Sequence, residues 1–339
     1  MRNPRSKQLL RPVHIVGTGS YVPDRVLTNS DLEKMVDTTD EWITTRSGIK
    51  ERRIAPDWMC TSDLAVEAAR RAMEQANVRE DEIDLIICAT ITPDMPFPAT
   101  ACLIQEKLGA KRAAAFDMEA ACSGFLYGLT TGAHLIGGGT HKKVLVIGAD
   151  TMSRVIDYKD RATCVLFGDG AGAMLLEPAT DGENAGFIDF LGEVDGSGGP
   201  ALCMPAGGSR MPSSHETVEQ RLHYVKQDGQ AVFKYAVRKM YEVCRDVLTR
   251  NALTVDDVAI MIPHQANLRI INGAGERLGI PPEKVMVNID RYGNTTAGTL
   301  PLATRDAIQQ GRLKKGDLVL YAVVGAGYTV GAGLWRWAY

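Results

Sequence analysis

Short runs of β-branched and apolar residues recur along this chain, and stretches of helical period separate several of them. The runs are VHIVGTG, DLIICAT, AAAFDM, KVLVIGAD, CVLFGDGAGAMLL, GFIDFLGEV, VAIMIPH, VMVNID and DLVLYAVVGAG. SDLAVEAARRAMEQANV and DGQAVFKYAVRKMYEVCRDVLTRN lie between them. In the second of these, Val232, Ala236, Met240, Val243 and Val247 fall at three- and four-residue steps and mark one helical face. Such alternation implies an α/β protein with sheets buried on both faces.

The pattern also repeats. DEIDLIICAT followed by ACLIQEKLGAKRAAAFDMEAACSG parallels DDVAIMIPHQANLRIINGAGERLGIPPEKVMVNIDRYGNTTAG. Each runs through an acidic turn, a buried strand, a loop, a helix ending in Leu-Gly, a second strand and a small-residue loop opening a helix. In this alignment Cys122 and Asn294 take similar places. Two fused, similar halves are expected, 1–191 and 192–339, the second beginning with a connecting segment. That segment, about 192–228, is rich in Gly, Pro and Ser and is expected to lie over a site or an interface.

Bulk properties narrow the function. With 339 residues at 45% hydrophobic composition the chain can bury a large core. A net charge of −3 argues against a general nucleic-acid binder. No apolar run approaches the roughly 20 residues of a membrane span. The basic start MRNPRSKQLLRPVHIVG lacks the apolar core of a secretory signal. Seven cysteines without C-x-x-C pairs suggest neither a disulfide framework nor a zinc site, and a cytoplasmic location is expected. Cys88 and Cys164, in apolar runs, suit core packing.

Three residues carry chemistry. Cys122 sits in MEAACSGFLYGL among side chains small enough to let a thioester approach. A helix opening there would favour the thiolate, although a tight strand–helix contact with a packed cysteine gives the same pattern. His264, in MIPHQANLRI, follows an apolar strand and Pro263, so it should sit at the strand end where α/β sheets bind ligands. Asn294, in RYGNTTAGTLP, could present an amide donor or be an ordinary turn residue. The glycine runs GTGSY and GDGAGA fit no dinucleotide fingerprint, and no metal-ligand cluster is present.

The chain resembles the β-ketoacyl-acyl-carrier-protein synthase III family of thiolase-fold condensing enzymes. The likeness is carried, in order, by GTGSYVP, TNSDLEKMVDTTDEWITTRSGIKERRI, FPATAC, AACSGF, DRATCVLFGDGAGA, PHQANLRI, YGNTTAG and GRLKKGDLVL. It implies a five-layered α/β/α/β/α fold of two similar halves, and a homodimer. It assigns Cys122 as the acyl-accepting nucleophile, and His264 and Asn294 to decarboxylation of a malonyl thioester and its condensation. The backbone N–H groups of Cys122 and Ala326 would form the oxyanion hole. Trp42 and Arg161 match the family's adenine sandwich; Arg46 and Arg269 suit phosphate contacts, Asn267 and Gly229 the pantetheine arm. Phe97 matches the residue that closes the primer pocket from the partner subunit. Lys234, Arg269 and Arg277 could dock the acidic acyl-carrier protein, while Glu276 departs from a lysine the family can carry. The substrates implied are an acyl-CoA and malonyl-acyl-carrier protein, with no metal or redox cofactor.

Relatives of the same fold fit less well. Biosynthetic thiolases need a second catalytic cysteine near the C-terminus, and none follows Cys244. Elongating synthases pair the cysteine with two histidines, and only His264 lies late in the chain. Chalcone-synthase-like enzymes share the Cys-His-Asn set. The readings kept beside the main one are a specialised condensing enzyme priming a polyketide or quinolone and a non-catalytic acyl-CoA or carrier-binding relative.

Overall fold

The computed structural model describes residues 11–179 and 185–339. Its strands are β1 (Val13–Tyr21), β2 (Val26–Thr28), β3 (Glu51–Arg53), β4 (Leu85–Ala89), β5 (Ala114–Met118), β6 (Val144–Asp150), β7 (Gly170–Pro178), β8 (Gly186–Val194), β9 (Leu202–Cys203), β10 (Lys226–Gln227), β11 (Ile260–Pro263), β12 (Leu318–Gly325) and β13 (Thr329–Arg336). The helices are α1 (Asn29–Leu32), α2 (Asp40–Ser47), α3 (Thr61–Ala76), α4 (Thr100–Leu108), α5 (Gly124–Gly137), α6 (Arg161–Cys164), α7 (His215–Glu219), α8 (Gly229–Arg250), α9 (Leu268–Leu278), α10 (Ile289–Tyr292) and α11 (Thr299–Gln309).

Two sheets dominate. The first has the order β1-β7-β6-β4-β5, the second β11-β12-β13-β8. In the first, β6 and β5 run parallel to β4, and β7 is antiparallel to both β6 and β1. The second repeats this: β11 and β12 are parallel, and β13 is antiparallel to β12 and β8. The repeat seen in the sequence is therefore a repeat of topology. β8 spans the expected division at 191/192 and pairs within the second sheet.

Alternate strand residues explain the layers, because successive side chains leave a strand on opposite faces. Ile86, Cys88, Leu145, Ile147 and Leu175 pack outward against α3 and α4. Ile87, Val144, Val146 and Met174 pack inward on Phe125, Leu126 and Leu129 of α5 and on Leu300 and Ala303 of α11, which also meet Ile262, Val319 and Tyr321 of the second sheet. The outer face of that sheet, with Met261, Leu320 and Ala322, carries Ala236, Met240, Val243 and Val247 of α8 and Ile271 and Ala274 of α9. The five-layer α/β/α/β/α order follows. α5 lies between the sheets and is apolar nearly all round; α8 is apolar on one face only.

Two expected strands differ. VMVNID forms only an isolated parallel bridge, Met261↔Val285, then passes into α10. The bridge stands where β5 stands in the first sheet, but Pro281 and Pro282 remove amide donors just before it. Cys164, placed in a strand-like run, instead ends α6, whose start Asp160 caps by accepting from Ala162 N. It remains a buried packing residue, as does Cys88.

Candidate active site

The two middle helices begin in the same way, and these beginnings create the site. Chain leaves β5, makes a tight 3-10 turn over Ala121–Ser123 and enters α5. In the second half the turn is Thr296–Gly298, followed by α11. Both turns open on a left-handed residue, Ala121 at φ 48 and Thr296 at φ 50. A side chain there costs on the order of 1–3 kcal/mol, more readily borne by Ala than by β-branched Thr. Turn for turn, the counterpart of Cys122 is Ala297, and Asn294 lies three residues earlier; the sequence alignment that equated Cys122 with Asn294 was offset by the missing strand.

Cys122, His264 and Asn294 line one cavity of about 160 Å³. Cys122 is 6% exposed. Burial pushes its thiol up to about 12, the nearby Asp150 carboxylate adds to that, and its own backbone N–H works against it. The expected low thiol pKa is thus not met: the N-terminus of α5 favours the thiolate, but desolvation outweighs it. The end of β12 closes on the same turn. A Cβ placed on Gly325 would lie 2.7 Å from Thr329 Oγ1, 3.0 Å from Cys122 N and 3.1 Å from Ser123 N, so glycine lets this strand end come so near. Ala326 follows directly and opens the turn Ala326–Tyr328, while Val324, Gly325 and Tyr328 form the cavity wall.

His264 leaves β11 with its backbone N–H donating to Ala322 O at 2.7 Å, which holds it at the strand end. Its ring is 1% exposed, and Nδ1 lies 2.7 Å from Thr299 Oγ1. Burial lowers its pKa to about 3, so the imidazole is neutral across the physiological range. Asn294 is fixed by backbone bonds to Leu166 O and from Gly168 N. Its Oδ1 accepts from Thr296 N at 2.8 Å, which leaves Nδ2 as the amide atom for the cavity.

Asp150, at the end of β6, was not singled out in the sequence. Its fully buried carboxylate accepts from Thr90 Oγ1, Ile91 N and Thr92 Oγ1 at 2.8–2.9 Å, and from Thr296 Oγ1 and Ala297 N across the pseudo-repeat. Burial raises its pKa, and the bonds from Thr296, Ile91, Thr92 and Thr90 offset only part of that rise. Thr296 and Thr299 were missed as well. The only sequence signal was their place in TTAGT beside Asn294.

The remaining expected residues divide. Gly229 and Asn267 line the cavity, as do Leu202 and Gln227 of the connecting segment. Asn267 also caps α9, accepting from Arg269 N at 2.9 Å, and donates to Arg46 O at 3.0 Å. Trp42 and Arg161 meet directly, with the guanidinium 4.9 Å from the ring centroid and bonded to Asp37 O. An aromatic ring between them would require the pair to part. Arg46 and Arg269 are exposed outside the cavity wall, Arg269 lying over Phe233 at 5.1 Å. Lys234, Arg238 and Arg277 line an adjacent groove that shares Phe233 and Tyr328 with the cavity. Glu276 is exposed beside Arg277. Phe97 is 84% exposed and does not reach this chain's own cavity. Among the described residues no helix is long and apolar enough to cross a membrane.

Comparison with known proteins agrees with this fold. A family model described as 3-oxoacyl-[acyl-carrier-protein (ACP)] synthase III matches residues 116–196, and the model of its C-terminal part matches 248–337. The chain is 70% identical over 326 residues to a β-ketoacyl-acyl-carrier-protein synthase III of Solibacter usitatus, covering 96% of this chain and 98% of that one. A crystal structure of a 3-oxoacyl-acyl-carrier-protein synthase III from Aquifex aeolicus is 47% identical, with a TM-score of 0.88 over 96% of this chain and all of that one. A priming β-ketosynthase from the R1128 polyketide pathway is 34% identical, with a TM-score of 0.89 over 99% of both chains. The two half-chain matches, the 70% identity across nearly the whole chain and the shared fold together place it: the chain belongs to the 3-oxoacyl-(acyl-carrier-protein) synthase III family.

Proposed function

We propose that the protein starts fatty-acid synthesis by condensing a short acyl-CoA with malonyl-acyl-carrier protein through an acyl group carried on Cys122. The observation that carries this reading is the meeting of Cys122, His264 and Asn294 in one cavity of about 160 Å³. In the first half-reaction the Cys122 sulfur attacks the acyl carbonyl, the bond to CoA sulfur breaks, and CoA leaves with the thiol proton. The resting thiol is neutral, so its proton leaves as the carbonyl arrives. The backbone N–H groups of Cys122 and Ala326 take the developing oxyanion. In the second, malonyl thioester loses carbon dioxide. His264 Nε2–H and Asn294 Nδ2–H donate to the enolate oxygen, each lowering the barrier by on the order of 3 kcal/mol. The carbanion then attacks the acyl–Cys122 carbonyl, forming the carbon–carbon bond of the 3-ketoacyl product and breaking the bond to Cys122 sulfur, whose thiolate takes a proton from water to restore the thiol. A neutral imidazole suits this donor role, and these steps call on no metal or redox cofactor.

The adenine end of CoA is assigned to Trp42 and Arg161, its phosphates to Arg46 and Arg269, and the pantetheine arm to Gly229 and Asn267. The pair Trp42–Arg161 opens to admit the ring, trading one cation–π contact for two stacked faces. The acidic carrier docks on Lys234, Arg269 and Arg277, next to the cavity mouth. Exposed Phe97 supports a homodimer in which it enters the partner subunit's primer pocket. Free cysteines throughout the described residues fit the reducing cytoplasm. The similarity to a priming ketosynthase supports a second reading, a starter enzyme for a polyketide, which differs in carrier rather than chemistry.

Intact-mass measurement after mixing with acetyl-CoA tests the nucleophile. The protein gains one acetyl group, and Cys122→Ala gains none. His264→Ala and Asn294→Ala acylate but fail to release carbon dioxide from malonyl thioester. Acetylation surviving in Cys122→Ala would refute the scheme. Faster turnover with a polyketide carrier than with a fatty-acid carrier would favour the second reading.

A further inference from the structure

We propose that Thr299 is a positioning residue whose hydroxyl donates to His264 Nδ1 and thereby keeps the ring proton on Nε2, facing the cavity. The inference rests on the functional reading above, which needs Nε2 as a donor. Three observations carry it.

The first is an inventory of protons. Thr299 Oγ1 lies 2.7 Å from His264 Nδ1 and 2.9 Å from Thr296 O, and both side chains are buried. The hydroxyl has one proton for these two acceptors. Thr296 O already accepts the backbone N–H of Thr299, so that carbonyl keeps a partner when the hydroxyl turns to the ring. A neutral imidazole carries one ring proton. With Nδ1 accepting from Thr299, that proton is on Nε2.

The second is the field at Nδ1. Thr299 is the first residue of α11, an 11-residue helix. Its N-terminal end presents partial positive charge, which favours a lone pair facing it over an N–H. The tautomer with bare Nδ1 is the one this helix stabilises.

The third is that one turn sets both donors. Thr296 N–H holds Asn294 Oδ1 and so aims Nδ2, while Thr299, three residues on, holds His264. Thr296, in its left-handed conformation, donates its hydroxyl to Asp150 from the first half of the chain, which braces the turn. The two donors of the second half-reaction are thus oriented from one support rather than separately.

The test uses the full-length protein with Thr299→Val, which keeps the shape without the hydroxyl, and Thr299→Ser, which keeps the hydroxyl. Acetylation of Cys122 by acetyl-CoA and carbon dioxide release from malonyl-acyl-carrier protein are measured separately. Thr299→Val is expected to acetylate within about twofold of wild type yet release carbon dioxide about 100-fold more slowly, the scale of losing one oxyanion donor. Thr299→Ser is expected to recover to within a few-fold. Nitrogen-15 NMR of histidine-labelled wild type, with the His264 signals identified by their loss in His264→Gln, is expected to show Nδ1 unprotonated and Nε2 protonated. A proton on Nδ1, or wild-type carbon dioxide release by Thr299→Val, overturns the proposal. Should Thr299→Val lose acetylation through misfolding, the wild-type NMR result alone decides. Carbon dioxide release retained by His264→Ala overturns the functional reading beneath, whereas its loss there with full activity in Thr299→Val overturns only the role of Thr299.

Discussion

At the level of single residues, His264 has a consequence for stability as well as chemistry. Its pKa falls from an ordinary 6.5 to about 3 on burial. Above pH 6.5 it is neutral both folded and unfolded and contributes no pH dependence. Below 6.5 the unfolded chain takes up a proton that the folded chain refuses, so folding weakens as pH drops, down to about 3. The slope is about 1.4 kcal/mol per pH unit for this one proton. His264→Gln should therefore lose less stability than wild type between pH 6.5 and 4.5, a difference readable in urea unfolding midpoints; parallel curves would place the proton elsewhere. Gly325 makes a second single-atom prediction. A methyl group there would sit 2.7 Å from Thr329 Oγ1, and 3.0 and 3.1 Å from the Cys122 and Ser123 amides, which are backbone and cannot swing away. Gly325→Ala should slow acetylation of Cys122 by about tenfold, since the Cys122 turn must shift to make room and a reacting centre is sensitive to sub-ångström misplacement. Cys122, His264 and Asn294 were legible because each sits in a distinctive short string. Asp150 and Thr299 were not, because their partners lie far off: Asp150 meets Thr296 across 146 positions, and Thr299 meets His264 across 35.

At the level of elements, the sequence periodicities located both buried sheets and the amphipathic face of α8, since a two- or four-residue repeat is a local property that burial imposes directly. What periodicity could not place was the end of an element. VMVNID has strand composition yet makes a single bridge, because pairing depends on prolines before it and on the reach of β11 beside it. Helix starts matter more for function, and Asn267 offers a test of one. It caps α9 through Oδ1 and ties α2 through Nδ2. Asn267→Ala removes both and should cost about 1 kcal/mol from the cap alone. Asn267→Asp keeps the acceptor, so thermal stability should return toward wild type, but the bond to Arg46 O stays lost. If that tie holds the CoA channel, KM for acyl-CoA rises in both variants while stability recovers only in Asn267→Asp. Recovery of KM in Asn267→Asp would assign Asn267 to capping alone.

At the level of the whole molecule, the first sheet ends on β5, which among the described residues pairs only with β4. An unpaired sheet edge is ordinarily blunted by charge, proline or a covering element. Here the face near it is apolar instead: Phe97 is 84% exposed, Met95 41% and Phe116 37%. In the second sheet β11, the counterpart of β4, has among the described residues only the single bridge to Val285 at the corresponding place. The two halves share a topology but differ at this edge, and we propose that a second copy of the chain docks through β5. Light scattering should give twice the 36.8 kDa of one chain. Phe116→Lys, which sets a charge against its symmetry mate, should raise the dimer dissociation constant by at least about tenfold, corresponding to roughly 1.4 kcal/mol. Phe97→Ala should leave the dimer intact and widen the acyl chains accepted at Cys122, if that ring enters the partner's pocket. A wild-type protein monomeric at micromolar concentration and fully active would remove Phe97 from the primer site, because its own cavity lies out of its reach.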